Sequence, residues 1–219
     1  MPGPTPSGLL HLRTWLHPDV DVVAFDDWCD GHQVDQLVVP GVRRVRRFSR
    51  WRTAGGAPPD SLTMYDLDQL DVLASAEHAE LRRRSTGLPD AFAGRLRAAR
   101  CEAWLVEGVP AAEGLGEGEA VAQLYVAEGD DLADWFAAEG TALLDAAGGS
   151  LARLHHGTGE EQIVLVELGA AADPDPAALP VPPAELLGGD PEASWGTYRL
   201  DFAATPDGRA RSPHRDRRA

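Results

Sequence analysis

From Gly8 to Leu16 apolar and polar residues alternate: Leu10, Leu12, Thr14 and Leu16 take one side, His11, Arg13 and Trp15 the other. A period of two predicts a strand. Its second side carries an imidazole, a guanidinium and an indole, which suits the wall of a polar cavity as well as a solvated face. Asp19 to Val39 predicts a helix ended by Pro40-Gly41. At 100° per residue, Phe25, Trp28, Cys29, His32 and Gln36 share one face, so His32 points the same way as two aromatics. Strands follow at 42–52 and 62–67, then a helix over Ala76 to Arg84 with Ser75 as N-cap and His78 at the surface. A fourth strand spans 96–106, with Ala99, Cys101, Ala103 and Leu105 on one face and Arg100, Glu102 and Trp104 on the other. The order β-α-β-β-α-β is that of a ferredoxin-like unit.

The order then restarts. Strands are predicted at 121–126, 151–156, 163–168 and 195–202, and a helix at 131–147. The Pro- and Ala-rich stretch 170–189 leaves only a short helical piece near Ala184 to Leu187. At an offset of 107 positions Asp27 maps on Asp134, Trp28 on Trp135, Leu37 on Leu144, Gly41 on Gly148 and Arg46 on Arg153. Identities of this kind at one fixed offset read as two copies of one unit. Glu139 stands where the first copy has His32. The expected organisation is a disordered N-terminus (1–7), a first unit (8–108), a linker (109–119), a second, degenerate unit (120–204) and a disordered basic tail (205–219).

Composition narrows the function classes. The net charge is −15, with 35 acids against 20 bases, and every base is arginine. An acidic body repels nucleic acid, and the arginine-dense stretch 42–52 has little aromatic interleaving. Its arginines are expected to be solvated or salt-bridged, with one or two facing inward to hold a substrate carboxylate or phenolate. No apolar run reaches the roughly 20 residues of a membrane span, and the N-terminus lacks the marks of a secretory leader. The expectation is a cytoplasmic protein whose partner is a small molecule, with neither nucleic acid nor membrane engaged. Cys29 and Cys101 read as buried thiols rather than a disulfide framework. The spacing Cys29-x2-His32 puts two metal-ligand types on one helix face, but no second clustered pair completes a site, so no metal is expected.

The run Trp28-x3-His32-x4-Leu37-x2-Pro40-Gly41 followed by Arg46-Arg47-Phe48, with Leu62-Thr63-Met64-Tyr65-Asp66-Leu67 and Asp71-Val72-Leu73-Ala74-Ser75, resembles the dimeric α+β-barrel superfamily. That superfamily includes EthD-like proteins, antibiotic-biosynthesis monooxygenases and small polyketide cyclases. The resemblance implies an α+β fold in which two tandem ferredoxin-like units form an intrachain pseudo-dimeric barrel, free to associate further as a homo-oligomer of pseudo-dimers. In EthD-like members a helix-1 histidine after a Trp faces the pocket, which implies a functional His32. Degeneration of the second copy implies one working pocket.

A histidine of near-neutral pKa moves protons, and enolate or phenolate chemistry also needs a donor for the developing oxyanion. The expected acid/base set is His32 with Arg13 and Tyr65; His11, Trp15, Trp28, Arg100, Glu102 and Trp104 shape the substrate slot. Cofactor-independent proton transfer on an aromatic or polyketide-like substrate follows, as cyclase, isomerase, decarboxylase or cofactor-free monooxygenase. Two other readings stand beside it. One is a non-catalytic binding or scaffold protein; the other is a haem enzyme with His155 or His156 as axial ligand.

Overall fold

The structure is a computed structural model that describes residues 8–54, 59–84, 92, 96–109, 120–126, 132–157, 162–168, 174–187 and 195–211. It is an α+β protein whose strands pair antiparallel. The chain divides into two compact units, Met1–Arg47 with Pro59–Ala103 and Asp201–Ala219, and Phe48–Pro58 with Trp104–Leu200.

The first unit is built from β1 (Gly8–Leu16), α1 (Val22–Asp35), the first part of β2 (Val42–Thr53), β3 (Ser61–Leu67), α2 (Ala76–Arg84) and the first part of β4 (Leu96–Val109), in the strand order β2-β3-β1-β4. In the β1–β3 ladder Leu10 faces Tyr65 and Leu12 faces Thr63, while His11 faces Met64 and Arg13 faces Leu62. Directly opposed residues share a side of the sheet. Leu10, Leu12 and Tyr65 therefore lie together, and they join Val39, Val42, Val45, Leu67 and Val72 in the core on the helix side. His11 and Arg13 lie on the other side and are buried there.

The expected long first helix is shorter than its apolar pattern. Asp21 caps its start by accepting from the Ala24 amide, and a 3-10 turn takes over at Gln36–Val38. Ser75 caps the second helix through the His78 amide, as its sequence implies. His78 is not a surface residue, however: it is buried with Nδ1 2.8 Å from the Leu73 carbonyl oxygen, because the preceding 3-10 turn presents that carbonyl to the ring. The end of the chain also departs from expectation. Residues from Thr205 turn back, and β9 (Gly208–Arg211) pairs antiparallel with β8 (Trp195–Thr205), so the stretch to Arg211 is a hairpin rather than a disordered tail.

The second unit contains β5 (Ala120–Val126), α3 (Ala133–Ala147), β6 (Gly149–Gly157), β7 (Gln162–Leu168) and the first part of β8. Its strand order β6-β7-β5-β8 repeats that of the first unit. Between β7 and β8 the described residues form two 3-10 turns, at Pro176–Ala178 and Ala184–Leu187. Phe136, Leu143 and Ala147 of α3 pack on Ala152, Leu154, Val164, Val166 and Leu168. Gly41 has φ +91° and Gly148 φ +60°, a left-handed region that a side chain disfavours; Gly148 caps α3, and Gly41 lies in the turn that leads into β2.

Candidate functional site

The helix α1 carries both the expected acid/base residue and a polar cluster that its sequence pattern conceals. Its buried residues are Phe25, Asp26, Cys29, Asp30 and Gln33, rather than the expected Phe25, Trp28, Cys29, His32 and Gln36. Asp26, Asp30 and Gln33 are spaced four and three apart, one stripe of a helix. That stripe faces Arg47 of β2, which is 0% exposed. Arg47 Nη1 donates to Asp26 Oδ1 at 2.6 Å, and its Nη2 and Nε donate to Asp30 Oδ1 at 2.9 and 3.3 Å. Asp201 Oδ2, from β8, lies 3.4 Å from Nη1. Burial alone pushes the guanidinium down, but the three carboxylates outweigh it and hold Arg47 above its ordinary value. One turn further along, Gln33 Nε2 donates to Thr63 Oγ1 at 2.9 Å.

Turning Asp26 and Asp30 inward carries Trp28 and His32 to the edge of the helix. Both are half-buried there, and their rings stack with centroids 5.2 Å apart and planes 11° from parallel. Trp28 is also 5.9 Å from Phe25 and 6.1 Å from Phe92, and Phe25 meets Phe92 edge-on at 5.4 Å. Burial lowers the His32 imidazole below its ordinary value, against a smaller upward pull from Asp35. At neutral pH His32 is therefore a neutral base lying flat on an indole, at the accessible rim of an aromatic cluster. Cys29, beneath this rim, has its thiol pushed up to about 12, first by burial and then by Asp26 and Asp30 against Arg47. It is a packing residue, and no thiolate is present to act as nucleophile.

The remaining expected site residues are distributed over both sides of the first unit's sheet. Tyr65 is on the helix side, 4% exposed in the apolar core. Arg13 is on the opposite side with His11, and its guanidinium lies 6.0 Å from the centre of the half-buried Trp15 ring. Asp66, also on β3, receives Arg44 at 2.7 Å and Arg46 at 3.3 Å. The structure thus brings Trp28 to His32, but it sets Arg13 and Tyr65 on opposite sides of the sheet. On β4, Trp104 pairs with Gly157; the side chains of Arg100, Glu102 and Trp104, like those of Cys101, His155 and His156, lie outside the described residues. Among the described residues no group of three or more His, Cys, Asp or Glu is arranged to hold a metal ion, and no helix is long and apolar enough to cross a membrane.

Arg43, Arg44, Arg46 and Arg47 of β2 are salt-bridged, as expected, but the inward ones hold carboxylates of the protein itself. Arg43 pairs with Asp68 near the surface, whereas Arg46 and Arg47 are buried. Sequence inspection overlooked Asp26, Asp30 and Asp201. The available signal was Asp26-x3-Asp30-x2-Gln33, a second stripe beside the apolar one, followed by arginines in a strand.

An antiparallel α+β fold with its candidate chemistry on the first helix is the class that these elements define. No family model and no curated protein matches the sequence. Among solved structures, the fold is similar to that of an anthrone oxidase-like protein, with a TM-score of 0.60 and 14% identity over 94% of this chain and 95% of that chain. A protein of Fusobacterium nucleatum subsp. nucleatum ATCC 25586 assigned as a monooxygenase gives 0.50 and 8% over 95% and 99%. One of Lactobacillus acidophilus NCFM, with the same assignment, gives 0.48 and 12% over 94% and 99%. At these identities the likeness is one of fold.

Proposed function

We propose that the chain is a small-molecule enzyme of the monooxygenase type, acting on an aromatic, polyketide-like substrate without a bound cofactor and using His32 as its base. The observation that carries this reading is the half-buried His32 imidazole, held below its ordinary pKa and stacked on Trp28 at the rim of an aromatic cluster. A flat polycyclic substrate is stabilised by stacking on such a rim. A neutral imidazole there takes a proton at neutral pH. The likeness of fold to an anthrone oxidase-like protein supports this choice of substrate class. In an anthrone the methylene between two aryl rings is acidified by the ketone across the ring. Removal of one of its protons by His32 gives an electron-rich enolate, which passes an electron to dioxygen. Recombination forms a C–O bond and, with the proton returned, a hydroperoxide. Loss of water then leaves a carbonyl: one CH2 and one O2 become one C=O and one H2O.

The chain is further read as a fused pair of ferredoxin-like units, the intrachain counterpart of a dimer. The repeated strand order and the paired positive-φ glycines support this. Glu139 in place of His32 favours a single working site in the first unit, with the second as scaffold.

The test is oxidation of an anthrone, followed by dioxygen uptake and by the absorbance of the quinone formed. His32→Ala should lower kcat by about 100-fold or more, the usual contribution of a positioned base. Full turnover by His32→Ala would remove His32 from the mechanism. A Soret band in the purified protein would replace the cofactor-free reading with the haem one.

A further inference from the structure

We infer that Gln33 and Thr63 form the polar end of a ligand site between α1 and the first unit's sheet, where the Gln33 amide reads a hydroxyl group on a flat aromatic ligand. This deepens the proposed function and rests on it only for the aromatic class of the ligand.

Two independent observations carry the inference. The first is where solvent reaches the sheet. β1 lies between β3 and β4, and its residues on the side away from the helices are closed off, His11 at 0% exposure and Arg13 at 1%. Leu10 and Leu12, on the helix side, are only partly buried. Apolar side chains in the middle of a central strand stay accessible only where the helix layer above them leaves a gap. Val34 of α1 and Leu37 just after it pack against the same core and are likewise only partly buried. An accessible apolar floor bordered by a few polar groups is the usual make-up of a small-molecule site.

The second observation is a buried amide that is only half satisfied. Gln33 and Thr63 are both buried, and Gln33 Nε2 donates to Thr63 Oγ1 at 2.9 Å. Among the described residues Gln33 Oε1 meets no donor. Thr63 faces Leu12 across the β1–β3 ladder, so this amide borders the accessible floor. A buried amide oxygen is unfavourable until a donor reaches it. Turning the amide over exchanges its ends and leaves the nitrogen in need of an acceptor instead. A hydroxyl group answers either case, because it both donates and accepts. An aromatic ring over Leu10 and Leu12 with its hydroxyl on Gln33 accounts for both observations.

The test compares anthraquinone with a monohydroxy derivative whose hydroxyl is remote from the carbonyls, each bound to the full chain in equilibrium dialysis at pH 6. Native protein should bind the hydroxylated compound about 3- to 10-fold more tightly, the scale of one neutral hydrogen bond. Gln33→Met, similar in length, should remove that preference and keep the affinity for anthraquinone. Leu12→Phe, which fills the floor, should weaken both compounds, and unchanged binding of both by this variant overturns the site. The inference is also overturned by no preference in native protein or by the same preference in Gln33→Met, results that leave the amide to a bound water. An equal loss of both compounds in Gln33→Met overturns it too, as the mark of a purely structural hydrogen bond. If Gln33→Met does not fold, Thr63→Val decides: it releases the amide from its fixed orientation and should shrink the preference, and an unchanged preference overturns the inference. Native protein that binds neither compound overturns it as well. Whether the proposed chemistry fails with it is read separately, from anthrone oxidation by native protein and by His32→Ala.

Discussion

Replacement of Arg47 by leucine is the most demanding check on the cluster under α1. The guanidinium is 0% exposed and within 3.4 Å of three carboxylates, each itself buried. Leucine fills part of the space but leaves those carboxylates without this counter-ion. Removing one partner from a buried ion cluster typically costs about 3–5 kcal/mol. With an unfolding slope of about 3 kcal/mol per molar urea, the midpoint should fall by roughly 1 to 1.7 M. The additional changes Asp26→Ala, Asp30→Ala and Asp201→Asn should then return part of the loss, because they remove the buried carboxylates together with the guanidinium that faces them. Urea unfolding followed by far-UV circular dichroism measures both effects. A loss below about 1 kcal/mol for Arg47→Leu, the scale of a surface pair, would refute the reasoning. So would a fourfold variant no more stable than the single one.

Three further outcomes follow from other sites. Because His32 is held below its ordinary value of 6.5, the unfolded chain binds more protons than the folded one between the folded value and about 6.5. Stability from this group therefore falls as pH drops through that window, and His32→Gln should flatten the slope in urea unfolding at pH 5 and 7.5; an unchanged slope would contradict the lowered value. Cys29, with its thiol at about 12 and buried, should resist iodoacetamide in native protein at pH 8 and react once urea unfolds the chain, as mass spectrometry of its peptide will show. Gly41→Ala should destabilise more than Gly148→Ala, which itself costs on the order of 1 kcal/mol for a left-handed residue. At Gly41 the added methyl would also come within 2.5 Å of Val72 Cγ2, and thermal unfolding of the two variants ranks them.

Much of the architecture follows from local pattern. Alternation marks β1 and β3 through Leu10, Leu12, Leu62 and Met64, and Gly41 and Gly148 take turn positions of positive φ that few other residues accept. The burial of Asp26 and Asp30 was not legible. It depends on Arg47, 17 and 21 positions from Asp30 and Asp26, and on Asp201, 154 positions away. A helical period reports only which residues share a face, and α1 has two competing faces, one apolar and one acidic. The apolar face won in the sequence reading because burial of carboxylates is unfavourable until a counter-ion is placed beside them. Only the tertiary structure supplies that counter-ion, and with it the burial of Asp26 and Asp30 beneath the helix. The separation of Arg13 from Tyr65 has an equally simple cause: the antiparallel register of β1 and β3 sets them on opposite sides of one sheet.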